Sequence, residues 1–293
     1  MHVFITGGTG TIGTAVVAEL VSAGHTVSAL ARSDRSAATL TAAGATPVAG
    51  ALADLDVLRA GARAAEGVVS LAFSNDYGSP ESLAAGMAEE SAAMAALGEE
   101  LVGSDRPFVV VSGTPWAPGR PSTESDPLPL EGPVADRARS VIAALDLAER
   151  GVRGSAIRLP RTVHADGTGG FAGLLTEAAR RSGVAGYPGD GEQRWPAVHA
   201  RDAAVLFRIA LERAPAGTAW HAVADEGDRV RDLIEVIGRR LGLPVERVAD
   251  ETFGPFGPIF AMDQPASSAH TREALGWEPT HESLLEDLEH VEP

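Results

Sequence analysis

Thr6-Gly7-Gly8-Thr9-Gly10-Thr11-Ile12-Gly13 sets Gly7, Gly10 and Gly13 at the spacing G-x-x-G-x-x-G. The first glycine of such a set permits a tight turn. The second lets the backbone approach a pyrophosphate, and the third lets a helix pack closely on a strand. A helix that opens there offers free N–H groups and its positive dipole end to phosphate. Alone the pattern is weak. It gains force from the apolar run His2–Thr6 before it and from the helical spacing of Ile12, Val16, Val17, Leu20 and Val21 after it. Gly7, Thr9, Gly10, Thr11, Ile12 and Gly13 are the candidate phosphate-binding residues of a dinucleotide site. At the end of the next strand, roughly 20 residues on, an NAD site places Asp or Glu against the ribose. Here the chain reads Leu30-Ala31-Arg32-Ser33. A guanidinium matches phosphate geometry. Arg32 and Ser33 are therefore expected to hold a 2′-phosphate, which favours NADP; NAD is the alternative, with Asp34 on the ribose.

Other side chains could act on a substrate. Asp76 and Tyr77 follow the fourth expected strand, one able to accept a proton and the other to donate one; as a plain Asp-Tyr-Gly turn they would do neither. Ala72 and Phe73, just before them, are candidate cofactor contacts. Ser112 and Thr114 end the fifth strand, where a hydroxyl can bind a carbonyl oxygen or simply bond local backbone. His164 lies in a glycine-rich stretch and His199 precedes Asp202; a histidine near a cleft donates protons at neutral pH. Trp116, Trp195 and Arg194 could line a pocket for an aromatic or polycyclic ligand, with core packing the competing role for Trp195. No metal is expected. The eight histidines are scattered, and no pair has the i, i+4 spacing of a zinc helix.

These residues need a frame. Strands are expected at His2–Thr6, Thr26–Ala31, Thr46–Ala49, Val68–Phe73, Pro107–Val111 and Gly154–Leu159. Helices are expected at Ile12–Ala23, Ser36–Ala43, Leu55–Ala65, Glu81–Val102 and Arg137–Arg150. Strands alternating with helices in this rhythm make βαβ units and a parallel sheet. Their nearly uniform apolarity fits strands covered on both faces. Residues 113–133 break the rhythm with six prolines, too many for a regular element. Residues 164–196 do so with glycine-rich turns around a helix at Phe171–Arg181. Beyond Asp202 come a helix to about Glu212, a strand Ala219–Ala224, a helix Val230–Leu241 and turns at 254–258.

Composition sets outer limits. The chain has 293 residues, 44% of them hydrophobic, with 24 basic and 40 acidic side chains for a net charge of −16. That balance repels phosphate backbones and anionic lipid, so neither nucleic acid nor a membrane is an expected partner. The first residues lack a basic n-region and a long apolar h-region, and no stretch has the roughly 20 apolar residues of a membrane span. A cytoplasmic location is expected. Cysteine is absent, which excludes disulfides and a thiol nucleophile. Lysine is absent too, so every cation among Lys and Arg is a guanidinium and Schiff-base chemistry is excluded.

The Thr6–Gly13 loop resembles that of the extended short-chain dehydrogenase/reductase superfamily, the epimerase/dehydratase-like group. Val68–Phe73 resembles its fourth strand, and Val109–Thr114 its fifth, which carries a catalytic Ser or Thr. Ile157-Arg158-Leu159-Pro160 resembles its R-x-P stretch. Trp195–Ala204 resembles its V-H-x-x-D-x-A segment, in which the histidine is mainly structural, and Arg272–Pro279 its L-G-W-x-P ending. The resemblance implies a Rossmann-type doubly wound parallel sheet, placed at 1–163 with roughly 197–225. It also implies a smaller discontinuous α/β substrate domain at 164–196 and 226–293. The catalytic pair of that group is Y-x-x-x-K on the helix after the fifth strand; the matching helix here reads Arg137-Ala138-Arg139-Ser140-Val141. Its adenine-binding Asp falls at Ala51, with Asp54 close by.

The function expected on these grounds is an NADP-dependent oxidoreductase, a carbonyl reductase for a small organic metabolite. Ser112 or Thr114 would polarise the oxygen, and Tyr77 or His164 would supply the proton, the strand ends bringing them to one crevice. The alternatives are a non-redox isomerase, dehydratase or cyclase on the same fold, and a non-catalytic dinucleotide sensor. A homodimer is expected through the helices Glu81–Val102 and Arg137–Arg150, the first with an Ala-rich face (Ala84, Ala85, Ala88, Ala92, Ala95, Ala96).

Overall fold

The computed structural model describes residues 1–293 apart from 75–78, 133 and 293, and apart from the side chains of Pro80 and Pro255. In chain order the elements begin β1 (His2–Thr6), α1 (Thr11–Ser22), β2 (Thr26–Ala31), α2 (Asp34–Ala42), β3 (Thr46–Ala49), α3 (Leu55–Ala64), β4 (Gly67–Ser70), α4 (Pro80–Glu99), β5 (Pro107–Gly113), α5 (Ala135–Asp146) and β6 (Arg153–Leu159). They continue β7 (Thr162–His164), α6 (Gly170–Ser182), β8 (Ala185–Tyr187), β9 (Arg194–His199), α7 (Ala200–Arg213), β10 (Thr218–His221), β11 (Asp225–Arg229), α8 (Val230–Leu241), β12 (Val245–Arg247), α9 (Gly257–Phe260), α10 (Ala269–Leu275) and α11 (Leu284–Asp287). No helix among the described residues is long and apolar enough to cross a membrane. Two compact units divide the chain: Met1–Ser112, Leu128–Arg158 and Ala204–Trp220 form one, and Gly113–Pro127, Leu159–Ala203 and His221–Pro293 the other.

The first unit carries a seven-stranded sheet in the order β10-β6-β5-β4-β1-β2-β3. The β1–β2, β2–β3, β1–β4 and β4–β5 pairs are parallel. This is the α/β, Rossmann-type doubly wound sheet expected from the sequence. Its order reverses at β1 and β4, where open sheets bind ligands beyond the strand carboxyl ends. The strands are apolar because helices cover both faces: Val3, Phe4, Ile5, Val68, Val69, Phe108, Val109 and Val110 are all fully buried. Leu58 of α3, Leu97 of α4 and Val141 of α5 close the core over Phe4 and Phe108.

Some boundaries move for local reasons. β4 stops at Ser70, short of the expected Phe73, because its partner β1 ends at Thr6, whose carbonyl accepts the Leu71 N–H (3.1 Å) and whose hydroxyl accepts the Ala72 N–H (3.4 Å). α4 starts at Pro80, before Glu81, because Ser79 caps it: its Oγ accepts from the Ser82 N–H (3.1 Å). α5 starts at Ala135, two residues before Arg137, and yields at Leu147–Arg150 to a 3-10 turn ended by Gly151 at φ +74°. On α4, Ala84, Ala85, Ala88, Ala92 and Ala95 are exposed and Ala96 is buried.

The second unit holds a β11-β9-β7 sheet and a β12-β8 pair. Trp195, Leu233, Ile237, Phe260, Leu284 and Leu288 form its core. The expected strand Ala219–Ala224 splits here: β10 ends at His221, and Ala224 turns to donate to the Ala197 carbonyl (2.9 Å) before β11 pairs antiparallel with β9. β11 reads Asp-Glu-Gly-Asp-Arg, and no apolar alternation announces such a strand.

One polar contact ties this unit together. Asp202, in the first turn of α7, is 2% exposed. Its carboxylate accepts from the Thr280 N–H (3.0 Å), the His281 N–H (3.0 Å) and His281 Nδ1 (2.8 Å). The Trp277 indole donates to its main-chain carbonyl (3.0 Å). Asp202→Ala strands these donors. It is expected to lower unfolding free energy in urea by about 3 kcal/mol, the scale of losing a buried charged acceptor. A loss under about 1 kcal/mol would show that apolar contacts alone hold residues 277–281.

Candidate functional site

The glycine loop is shaped by backbone meeting backbone. Gly7 sits at φ +76°, and a Cβ there would stand 2.6 Å from the Ala72 nitrogen. A Cβ on Gly13 would stand 2.0 Å from the Gly7 carbonyl oxygen. Only glycine lets β1 turn this sharply into α1 beneath the end of β4. Gly10 is different. A Cβ there would meet only the Gly7 oxygen, at 3.7 Å, so its missing side chain leaves open space. Gly10 is also the cap residue of α1; no side chain caps the helix and its first turn holds no acid. Uncapped N–H groups facing a volume that no described side chain fills fit a dinucleotide pyrophosphate. Gly10, Thr11, Ile12 and Gly13 could hold it, with Gly7 and the exposed Thr9 at its edge.

At the end of β2, Ala31 is buried and offers only a methyl group. Arg32 is exposed and forms no ion pair with any described residue. Ser33 caps α2, its Oγ accepting from the Ser36 N–H (3.2 Å). The Asp54 carboxylate, near the position expected to read adenine, accepts the Ala51 N–H (2.7 Å).

Sequence reasoning missed a stack on the same unit. Phe73 follows the end of β4, and the Arg137 guanidinium lies over its ring, 4.4 Å from the centroid. Glu90 of α4 holds that guanidinium by accepting from its Nε (2.9 and 3.1 Å). Glu90 is 3% exposed; burial raises its pKa, and the charge and hydrogen bonds of Arg137 oppose the rise. In an Ala- and Glu-rich helix Glu90 reads as a surface residue, so no sequence signal marks it. Ala72, Phe73 and Arg137 all belong to the first unit. Asp76 and Tyr77 lie outside the described residues.

Ser112 is buried near the end of β5. Thr114 follows, its N–H donating to the Leu159 carbonyl (2.9 Å), while its hydroxyl bonds no described residue. In the second unit Trp116 is 53% exposed and its indole N–H donates to the Asp263 carbonyl (3.0 Å). Gln264 donates to the Thr114 carbonyl (2.7 Å). Arg194 does not offer a free cation: its Nε and Nη2 donate to the Asp263 carboxylate (3.1 and 2.9 Å), and these bonds hold that carboxyl below its usual range. Trp195 is fully buried. It packs against Phe171 and Phe260 with ring centroids 5.8 and 5.3 Å away. The pocket-floor role expected for it is corrected to core packing.

His164 lies on strand β7, 1% exposed, and is not an open-loop residue. Its Nδ1 is 3.2 Å from Asp287 Oδ2, and its ring stands edge-on to His199. His199 stacks on His281 (4.7 Å). Burial, then the neighbouring His164 and His281, lowers the pKa of His199. His199, Glu282 and Asp287 bring ligand atoms within 4.8 Å of one another, a cluster that sequence spacing could not reveal. The His199 Nδ1 lone pair accepts the Arg201 N–H (3.2 Å), which leaves the proton of the neutral ring on Nε2.

Residues 3–222 match the model of the NAD dependent epimerase/dehydratase family. The chain belongs to that family. It is 40% identical over 294 residues to the Schizosaccharomyces pombe "Uncharacterized protein C2A9.02" and 38% identical over 295 residues to the Saccharomyces cerevisiae "Uncharacterized protein YLL056C", each match covering 98% of both chains. Among solved structures it is similar to a Thermotoga maritima UDP-glucose 4-epimerase (TM-score 0.80, 21% identity, 99% and 97% of the two chains covered). It is also similar to a dTDP-glucose 4,6-dehydratase of Streptomyces venezuelae (TM-score 0.79, 20% identity, 99% and 95% covered). At these identities the solved structures establish the fold.

Within this epimerase/dehydratase-family chain the two outer roles of the loop glycines separate from the middle one. Gly13→Ala is expected to unfold or misfold the first unit, because backbone atoms cannot yield to a Cβ. Gly10→Ala is expected to leave thermal unfolding unchanged and to weaken binding of the reduced dinucleotide, NADH or NADPH, in a fluorescence titration roughly tenfold or more, about 1.4 kcal/mol. Unchanged affinity in a folded Gly10→Ala protein would move the pyrophosphate away from α1.

Proposed function

We propose that the protein is an NADP-dependent oxidoreductase that reduces the carbonyl of a small organic molecule to an alcohol. The observation that carries this reading is the open, uncapped α1 terminus combined with Ala31 where an NAD site would place a carboxylate and, next to it, an Arg32 that pairs with no described residue. Gly10, Thr11, Ile12 and Gly13 bind the pyrophosphate through backbone N–H groups. Arg32 and Ser33 bind the 2′-phosphate, and Ala72 and Phe73 border the rest of the dinucleotide. When bound, NADPH supplies the hydride that the carbonyl carbon receives. Thr114, with its hydroxyl uncommitted, and Ser112 orient the carbonyl oxygen. Tyr77 donates the proton that completes the alcohol. With no lysine in the chain to lower its pKa, a phenol serves better as donor than as base, which favours reduction over oxidation.

NADPH is expected to bind more tightly than NADH, and Arg32→Ala is expected to erase the difference. Charge-assisted hydrogen bonds of this kind contribute about 1.5–3 kcal/mol. Equal wild-type affinity for both would transfer the ribose to Asp34. Tyr77→Phe is expected to cut turnover of a carbonyl substrate by roughly 10²–10⁴ while leaving NADPH affinity unchanged. Activity within a few-fold of wild type would remove Tyr77 from the mechanism. Substrate conversion without net NADPH oxidation would favour the isomerase or dehydratase alternative, consistent with the name of the family.

A further inference from the structure

Arg161 stands between β6 and β7 in the second unit, and its charge has no counterpart among the described residues. Its Nε is enclosed and has no hydrogen-bond partner. Its Nη2 meets only the thioether sulfur of Met262, at 3.9 Å. Its guanidinium lies 5.2 Å from the Phe171 ring centroid, and Phe171 continues into the aromatic cluster of Trp195, Phe256 and Phe260. No carboxylate among the described residues pairs with it. Burial alone lowers its pKa to about 10, so it stays a cation at neutral pH.

Three other partly buried arginines have partners. Arg137 has Glu90, and Arg208 has Glu19 and Glu212. Arg106 has no carboxylate, yet it donates to the carbonyls of Ala62, Ala65 and Glu100 (2.8, 2.7 and 2.6 Å). Acidic side chains outnumber basic ones 40 to 24, so a cation left without an anion is not explained by scarcity. A desolvated, unpaired guanidinium destabilises the fold that contains it. A ligand anion would offset that cost.

We propose that Arg161 is the recognition residue for a carboxylate on the substrate, whose apolar or aromatic body lies along Phe171 and Met262. The proposal rests on the reductase reading above and narrows its substrate class to oxo acids with an apolar body. A carboxylate suits the site better than a phosphate monoester. A single planar fork matches two carboxylate oxygens and one negative charge, whereas the nearby Arg194, which could have served a dianion, is already neutralised by Asp263.

The test uses the full-length protein saturated with NADP⁺ and titrates benzoate, inorganic phosphate and sulfate in separate calorimetric runs. Benzoate binding is expected, and Arg161→Met is expected to weaken it roughly 10- to 100-fold, the worth of a lost charge-assisted pair, with Arg161→Lys in between. NADP⁺ affinity stays unchanged in both variants. Thermal stability of the ligand-free Arg161→Met protein is expected to rise or hold, because a buried unpaired charge is gone; a merely structural arginine would make it fall. Undiminished benzoate binding in Arg161→Met, tighter binding of phosphate or sulfate than of benzoate, no binding of any of the three, or a marked fall in stability would each overturn the assignment. The reductase reading fails separately: if no carbonyl compound drives NADPH oxidation while benzoate still binds through Arg161, the anion site stands and the reaction class does not.

Discussion

The contact of the Gly7 carbonyl with the Gly13 backbone governs the first unit. It lets β1 pass into α1 within one turn, and it forbids any side chain at Gly13, where a Cβ would come within 2.0 Å of that oxygen. The same tightness brings the loop under the end of β4, whose last pairing with β1 is Ser70 with Thr6 and whose next N–H, of Leu71, still bonds the Thr6 carbonyl. The N-terminal N–H groups of α1 are then left without a side-chain cap among the described residues. A donor-rich, side-chain-free surface is a consequence of packing, and phosphate is the ligand class that uses it.

Charge is the second constraint. With lysine absent, guanidinium groups carry all the fixed cation chemistry, and the chain places them in three settings. Surface arginines form i, i+3 and i, i+4 pairs such as Arg139 with Asp136 and Arg231 with Glu235, each worth little to stability. Partly buried ones are held in fixed geometry, as Arg137 is by Glu90 over Phe73. Arg32 and Arg161 fall in neither group, one exposed at a strand end and the other enclosed beside apolar rings. Proteins rarely leave an enclosed charge unmatched, because desolvation is only recovered by a partner. Arg161, enclosed and without a carboxylate partner among the described residues, is thus where a ligand anion is sought, and Arg32 is singled out by its place at the end of β2.

The second unit shows how polar residues can organise a small fold. Asp202 joins the start of α7 to residues 277–281 through three donors. Around it His164, His199, His281, Glu282 and Asp287 lie close enough to influence one another. Asp287 shows the balance: burial raises its pKa, and His164, the Gly167 N–H and Glu282 together more than reverse that. Such a network fixes one arrangement of side chains where apolar packing alone would tolerate several.

Much of this was legible in the sequence. Alternating apolar strands and amphipathic helices specify the doubly wound sheet, because covering a parallel sheet on both faces requires that pattern. The G-x-x-G-x-x-G loop specifies its own geometry, since each glycine answers a local steric demand, and the V-H-x-x-D and L-G-W segments marked residues that do meet, at Asp202 and Trp277. What the sequence could not determine is which polar side chains lose water and which find partners. Trp195 and His164 have the composition of pocket residues and are enclosed; Arg194 looks available and is neutralised by a residue 69 positions away. Glu90 and Arg161 look like solvated charges and are not. Backbone conformation follows from near neighbours in the chain, whereas burial and charge pairing depend on residues that only the folded chain brings within a few ångströms.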